Sequence, residues 1–176
     1  EKDLEGAEGE LQRLRGKVRS AEAAARVFPQ VRRFAELLRP SREGEDWFDP
    51  AIFERMVVQG SLYANMGAIV DDMLVISDAI RERNLKAGEF RESAVERLTT
   101  FLYRILVSAH DPAYLTVYRR DGEEVILEVR NIDPQEKILE LARSHACTVL
   151  ISGTLSPVES FRRLYFGDEK VSTLTL

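Results

Sequence analysis

Apolar residues recur along this chain with two different periods, and the change between them divides it. From Leu62 they fall at Leu62, Met66, Ile69, Met73, Ile76 and Ile80. That spacing of fours and threes predicts a helix with one seam packed on another helix. Val95, Leu98, Phe101, Leu102, Ile105, Leu106 and Ala109 form a second stripe, ended by Asp111-Pro112. Ahead of both, Asp49-Pro50 offers an N-cap and a first-turn proline for another helix. The opening stretch, Glu1 to Phe28, predicts a charged helix with a sparse stripe at Leu4, Leu11, Leu14 and Val18. Gly6, Gly9 and Gly16 weaken it, each by roughly 1 kcal/mol relative to alanine.

After Pro112 the period becomes two. AYLTVYRR and EEVILEVRN flank Asp121-Gly122, which predicts a β-hairpin. Asp133-Pro134-Gln135-Glu136 reads as a capping box opening a helix that carries Ile138, Leu139, Leu141 and Ala142. The apolar run CTVLIS then predicts a buried strand. Ser156-Pro157-Val158-Glu159 opens a last helix, with Phe161 and Leu164 facing inward and Gly167 as its stop. The expected architecture is a mainly α-helical module over 1–112 followed by an incomplete α/β segment with a β-hairpin over 113–176.

Composition narrows the chemistry. The chain has 176 residues and a formal net charge of -5, so any basic surface must be a local patch. With Cys147 as its one cysteine, it holds no internal disulfide and no four-cysteine metal site. No apolar stretch is long enough to span a bilayer, and the expected compartment is the cytoplasm, or the nucleus in a eukaryote. His110 and His145 have no neighbouring ligand or nucleophile pattern, so no catalytic or metal residue is expected. Asp71 and Asp72 are adjacent and point to different sides of their helix. The start at Glu1 and the end on VSTLTL lead us to expect a piece of a longer protein.

Binding to single-stranded nucleic acid needs cations beside aromatic faces. Arg32, Arg33, Arg55, Tyr63 and Trp47 are the candidates, with Phe48 and Phe53 close by in sequence. The competing reading makes Phe53 and Tyr63 core residues and Trp47 the pin of a loop. The basic run of Arg13, Arg15, Lys17, Arg19 and Arg26, continued by Arg39 and Arg42, is expected to be a solvated helix face.

One short turn carries more information. In TVLISGTLSP a strand runs into Ser152-Gly153-Thr154, two hydroxyls around a residue that permits close backbone approach. Nothing in it is a strong acid, base or metal ligand, which suits a contact or relay loop. TVLISGTLSPVESF resembles motif III of the XPD-type (DinG-related) superfamily two DNA repair helicases. The order of hairpin, helix and strand before it is similar to the family's RecA-like first motor domain. Residues from about 20 to 112 resemble the family's helical Arch insertion in composition and order only.

The resemblance implies an ATP-dependent 5′–3′ DNA helicase of nucleotide excision repair, with single-stranded DNA passing beside the Arch. Ser152, Gly153 and Thr154 would couple the ATP and DNA sites. ATP, magnesium and a 4Fe–4S cluster are implied for the full-length protein. The phosphate-binding Gly-x-x-x-x-Gly-Lys loop, the Asp-Glu-Ala-His motif, the cluster cysteines and the second motor domain are all missing from this sequence. The chain alone is therefore expected to be inactive and to hold no cofactor. An alternative is a helical module that acts chiefly as a protein-interaction platform. A third is an unrelated coiled-coil regulator joined to an α/β piece.

Overall fold

Local capping chemistry starts several of the helices. A computed structural model of the chain describes residues 2–14, 20–38, 44–146, 148–149, 157–167 and 172. In chain order these form α1 (Lys2–Gln12), α2 (Ala21–Ala24), α3 (Val27–Leu38), β1 (Gly44–Trp47), α4 (Pro50–Ser61), α5 (Met66–Lys86), α6 (Ala94–Ser108), β2 (Tyr114–Asp121), β3 (Glu124–Asn131), α7 (Gln135–Ser144) and α8 (Val158–Phe166). The protein is mainly helical, with one three-stranded antiparallel sheet among the described residues. Two compact units divide it, Glu1–Arg130 and Asn131–Leu176. The composition shift at residue 112 falls inside the first, because the hairpin packs on the helices there.

As predicted, the Asp49 carboxylate accepts the Ala51 N–H at 2.8 Å and Pro50 opens α4. Leu62 does not begin the next seam. It closes α4 in the left-handed region, at φ 68°, with 75% of its surface exposed. The chain has to reverse here, and a left-handed residue after the last turn is how helices commonly stop. Asn65 then caps α5 by accepting the Ala68 N–H at 2.9 Å, and the buried seam runs Met66, Ile69, Met73, Ile76 and Ile80.

On α6, Val95, Leu102 and Ile105 are fully buried. Its N-terminus carries a complete Ser93/Glu96 capping box. Contacts of Arg81 with Glu96 and of Thr99 with the Met73 carbonyl show that α5 and α6 run antiparallel.

The opening helix departs from expectation. It stops at Gln12, well short of Phe28, while Leu11 and Leu14 of the expected stripe are buried, as is Ala7. At Gly6 an added Cβ would lie 2.9 Å from the Ala94 Cβ, so the missing side chain is what lets α1 approach α6. Glu10 accepts the Ala94 and Val95 N–H groups at 3.2 and 3.0 Å. A carboxylate there complements the positive end of the helix dipole. Arg13 and Arg26 are exposed, while Arg15, Lys17, Arg19, Arg39 and Arg42 lie outside the described residues.

The stretch read as a loop before Asp49 contains a strand. β1 pairs antiparallel with β2, with Trp47 opposite Val117 and Glu45 opposite Arg119. β2 is central in the order β1-β2-β3. Its hairpin to β3 turns on Gly122, whose φ of 59° has the sign that the first central position of a type II′ turn requires. Tyr118, Val125, Leu127 and Val129 face the helical core, and Val117 is buried on the opposite face of the sheet.

In the second unit α7 and α8 pack on each other. Asp133 accepts the Gln135 N–H at 3.2 Å, without the reciprocal contact of a full capping box. Gly167 ends α8 as expected. Leu164, expected inside, is 61% exposed, and Phe166 is the buried residue, its ring 6.5 Å from that of Phe161. In the run CTVLIS, Thr148 and Val149 are exposed and belong to no strand, and the other positions lie outside the described residues. A buried strand needs neighbours on its edges, and none accompanies it among the described residues.

Two glycines of one helix separate propensity from packing. Nothing lies within 4 Å of a Cβ added at Gly9. Gly9→Ala should raise stability by about 0.5–1 kcal/mol in urea denaturation, whereas Gly6→Ala should show no gain or a loss. Equal gains at both positions would contradict the close α1–α6 approach.

Candidate nucleic-acid interface

Burial sorts the aromatic candidates. Phe48 and Phe53 are buried, and with Phe34 and Phe101 they form one cluster. Phe34 meets Phe48 at 5.3 Å and Phe53 at 5.0 Å between ring centroids, and Phe53 meets Phe101 at 5.6 Å, all three edge-on. Phe34, Phe48 and Phe53 are buried, so none of their faces is open to a base. Tyr63 is half-buried and donates its hydroxyl to Asp72 Oδ2 at 2.7 Å. Trp47 is different: it stands opposite Val117, on the sheet face away from Tyr118, with 66% of its surface exposed. It does not pin a loop but ends an edge strand.

The three arginines also separate. Arg32 donates to Glu8 at 3.0 Å and is partly buried. Arg33 on α3 and Arg55 on α4 are exposed. Arg33 precedes Phe34 on α3, Trp47 precedes Phe48 at the end of β1, and Arg55 follows Phe53 by two residues on α4, a spacing that turns it away from the face Phe53 buries. Each of the three belongs to a different element, and the cluster is what draws those elements together.

The sheet face beside Trp47 carries further charge that the sequence reading missed. Arg119 lies across from Glu45, and Arg130 donates to Glu45 Oε2 at 2.7 Å and also to Glu128. These hydrogen bonds from Arg130 hold the Glu45 carboxyl below its ordinary range. The signal that could have found this face is the alternation of Arg119 and Arg130 with apolar residues in the two hairpin strands. It was hidden because the partner strand, Gly44–Trp47, has no apolar alternation of its own.

Ser152, Gly153 and Thr154 lie outside the described residues, as does Cys147. No group of histidine, cysteine and carboxylate side chains suited to a metal occurs among the described residues. His110 is exposed just beyond α6, and His145 Nδ1 lies 2.9 Å from the Leu141 carbonyl at the end of α7. Asp71 is exposed while Asp72 holds Tyr63, so the two carboxylates do serve different faces. No helix among the described residues is long and apolar enough to cross a membrane. The sequence matches no protein-family model, and no curated protein matches it.

Burial and the hydrogen bond to Asp72 push the Tyr63 phenol above its ordinary value of 10.0. The unfolded phenol therefore ionises first as pH rises. Its contribution is complete below about pH 10 and is lost above it. Tyr63→Phe should cost about 1 kcal/mol in denaturant melts at neutral pH, and the gap to the wild type should close above about pH 10. A gap that is constant into strong alkali would contradict the Tyr63–Asp72 bond.

Proposed function

We propose that this chain is the Arch-type helical insertion and adjoining first-motor-domain segment of an ATP-driven 5′–3′ DNA helicase of the XPD type, acting in nucleotide excision repair. The observation that carries this reading is the run TVLISGTLSPVESF, in which Ser152, Gly153 and Thr154 couple the nucleotide and DNA sites. The mainly helical first unit is compatible with it, and Arg33, Arg55 and Trp47 are exposed. In this reading Arg33 and Arg55 contact phosphates and Trp47 stacks on a base of the passing single strand. Arg32 and Tyr63 serve structure instead, through Glu8 and Asp72. ATP, magnesium and the 4Fe–4S cluster are bound by parts of the helicase other than this segment, which acts in the cytoplasm of a prokaryote or the nucleus of a eukaryote.

A second reading has the helical unit serving chiefly as a protein-interaction platform. Exposed apolar side chains on α5 and α6 favour it: Leu74, Val75, Tyr103 and Val107.

Fluorescence anisotropy with labelled oligothymidylate separates the two. The chain should bind weakly at low salt, with affinity falling steeply as salt rises. Replacing both arginines, Arg33→Glu and Arg55→Glu, should weaken binding more than tenfold and flatten the log–log salt slope by about 1.4, for two phosphates on a single strand. A titration unchanged by the double variant would overturn the assignment of these side chains. DNA-dependent ATP hydrolysis by the chain alone would overturn the segment reading itself.

A further inference from the structure

A cleft of about 530 Å³ opens in the first unit between α1, α3, α6 and β3. Its lining includes Val125, Ile126, Leu127, Glu128, Val129 and Arg130, which are consecutive. Successive side chains of a strand point to opposite faces, so a cleft that touches six in a row meets the strand from its edge. β3 is the edge of the sheet, and no strand pairs with its far side among the described residues. Among the described residues the N–H and C=O groups of that edge have no strand partner, and such groups are the chemistry that accepts another strand. The opposite walls supply an apolar floor from Leu4, Val31, Leu98 and Phe101.

Charge on the rim narrows the occupant. Arg97 is held by Asp3 at 2.6 Å, Arg32 by Glu8 at 3.0 Å, and Arg130 by Glu45 and Glu128. Arg104 is exposed and has no ion-pair partner among the described residues, and Glu36 and Glu92 share the same rim. A polyanion such as a nucleic acid meets two carboxylates here, whereas a peptide carrying both signs is matched. Six residues of strand edge span about 20 Å, enough for a segment of about six residues.

We propose that this cleft binds an extended polypeptide segment, which adds a strand along β3, sets alternate apolar side chains on the floor and places a carboxylate on Arg104. The proposal rests on the first unit alone and is independent of the helicase reading.

The test uses the whole chain and two fluorescein-labelled eight-residue peptides. Each alternates valine and threonine, in opposite registers, with one glutamate and one lysine. Saturable anisotropy binding of at least one peptide is expected, with slowed amide exchange across residues 125–130. N-methylation of the alternate amides on the pairing edge of that peptide should reduce binding at least tenfold. Arg104→Glu should weaken it several-fold while the urea midpoint of the free protein stays unchanged. No saturable binding by either peptide, or binding without protection at residues 125–130, would overturn strand addition. Equal binding of the N-methylated peptide would also overturn it, leaving an apolar cleft that takes side chains without pairing to β3.

Discussion

Four phenylalanines hold this protein's first unit in register. Phe34, Phe48, Phe53 and Phe101 come from α3, the residue after β1, α4 and α6, and each ring meets at least one other edge-on or tilted. Such pairs contribute about 0.5–1.5 kcal/mol each beyond the area they bury. Phe48 matters most for the layout, because its N–H donates to the Thr116 carbonyl at 3.1 Å and its own carbonyl accepts from the Thr116 hydroxyl. One residue therefore ties the helical core to the central strand. The sheet cannot shift against the helices without unpacking the cluster.

A second constraint acts at the far end of α6. Gly6 lets α1 lie close to Ala94, and Glu10 accepts two N–H groups that a helix start leaves without partners. Arg97 then reaches back to Asp3, and Lys2 pairs with Glu124 on β3 at 2.8 Å. These exposed ion pairs add little stability individually. Their effect is positional: they hold α1 beside β3 and so form one wall of the cleft. The same packing that stabilises the helices leaves a cleft along β3.

The legible parts of this fold were those written in local spacing. The seams of α5 and α6, the Asp49-Pro50 start and the stop at Gly167 each depend on residues within a few positions of one another. So does the hairpin, although its turn centres on Gly122 and Glu123 rather than on Asp121-Gly122. The illegible parts depend on distant partners. β1 is four exposed residues whose strand character comes from pairing with β2. Glu10 looks like any surface glutamate until Ala94 and Val95 approach it. Leu62 fits the helical period perfectly well, yet the chain reversal claims it. At the candidate interface the sequence supplied Arg33, Arg55 and Trp47, but only packing shows that Arg32 and Tyr63 are already engaged.

The functional reading joins a short motif-like run in the second unit to exposed side chains of the first, Arg33, Arg55 and Trp47. The surface part has a built-in reporter, because Trp47 is the chain's only tryptophan and is largely exposed. Titrating the protein with unlabelled oligothymidylate at low salt, while following tryptophan emission, tests base stacking directly. The expected result is saturable quenching that reverses on adding salt and parallels binding measured by anisotropy. Unchanged tryptophan emission at oligonucleotide concentrations that saturate the anisotropy signal would place the DNA elsewhere and contradict the proposed interface.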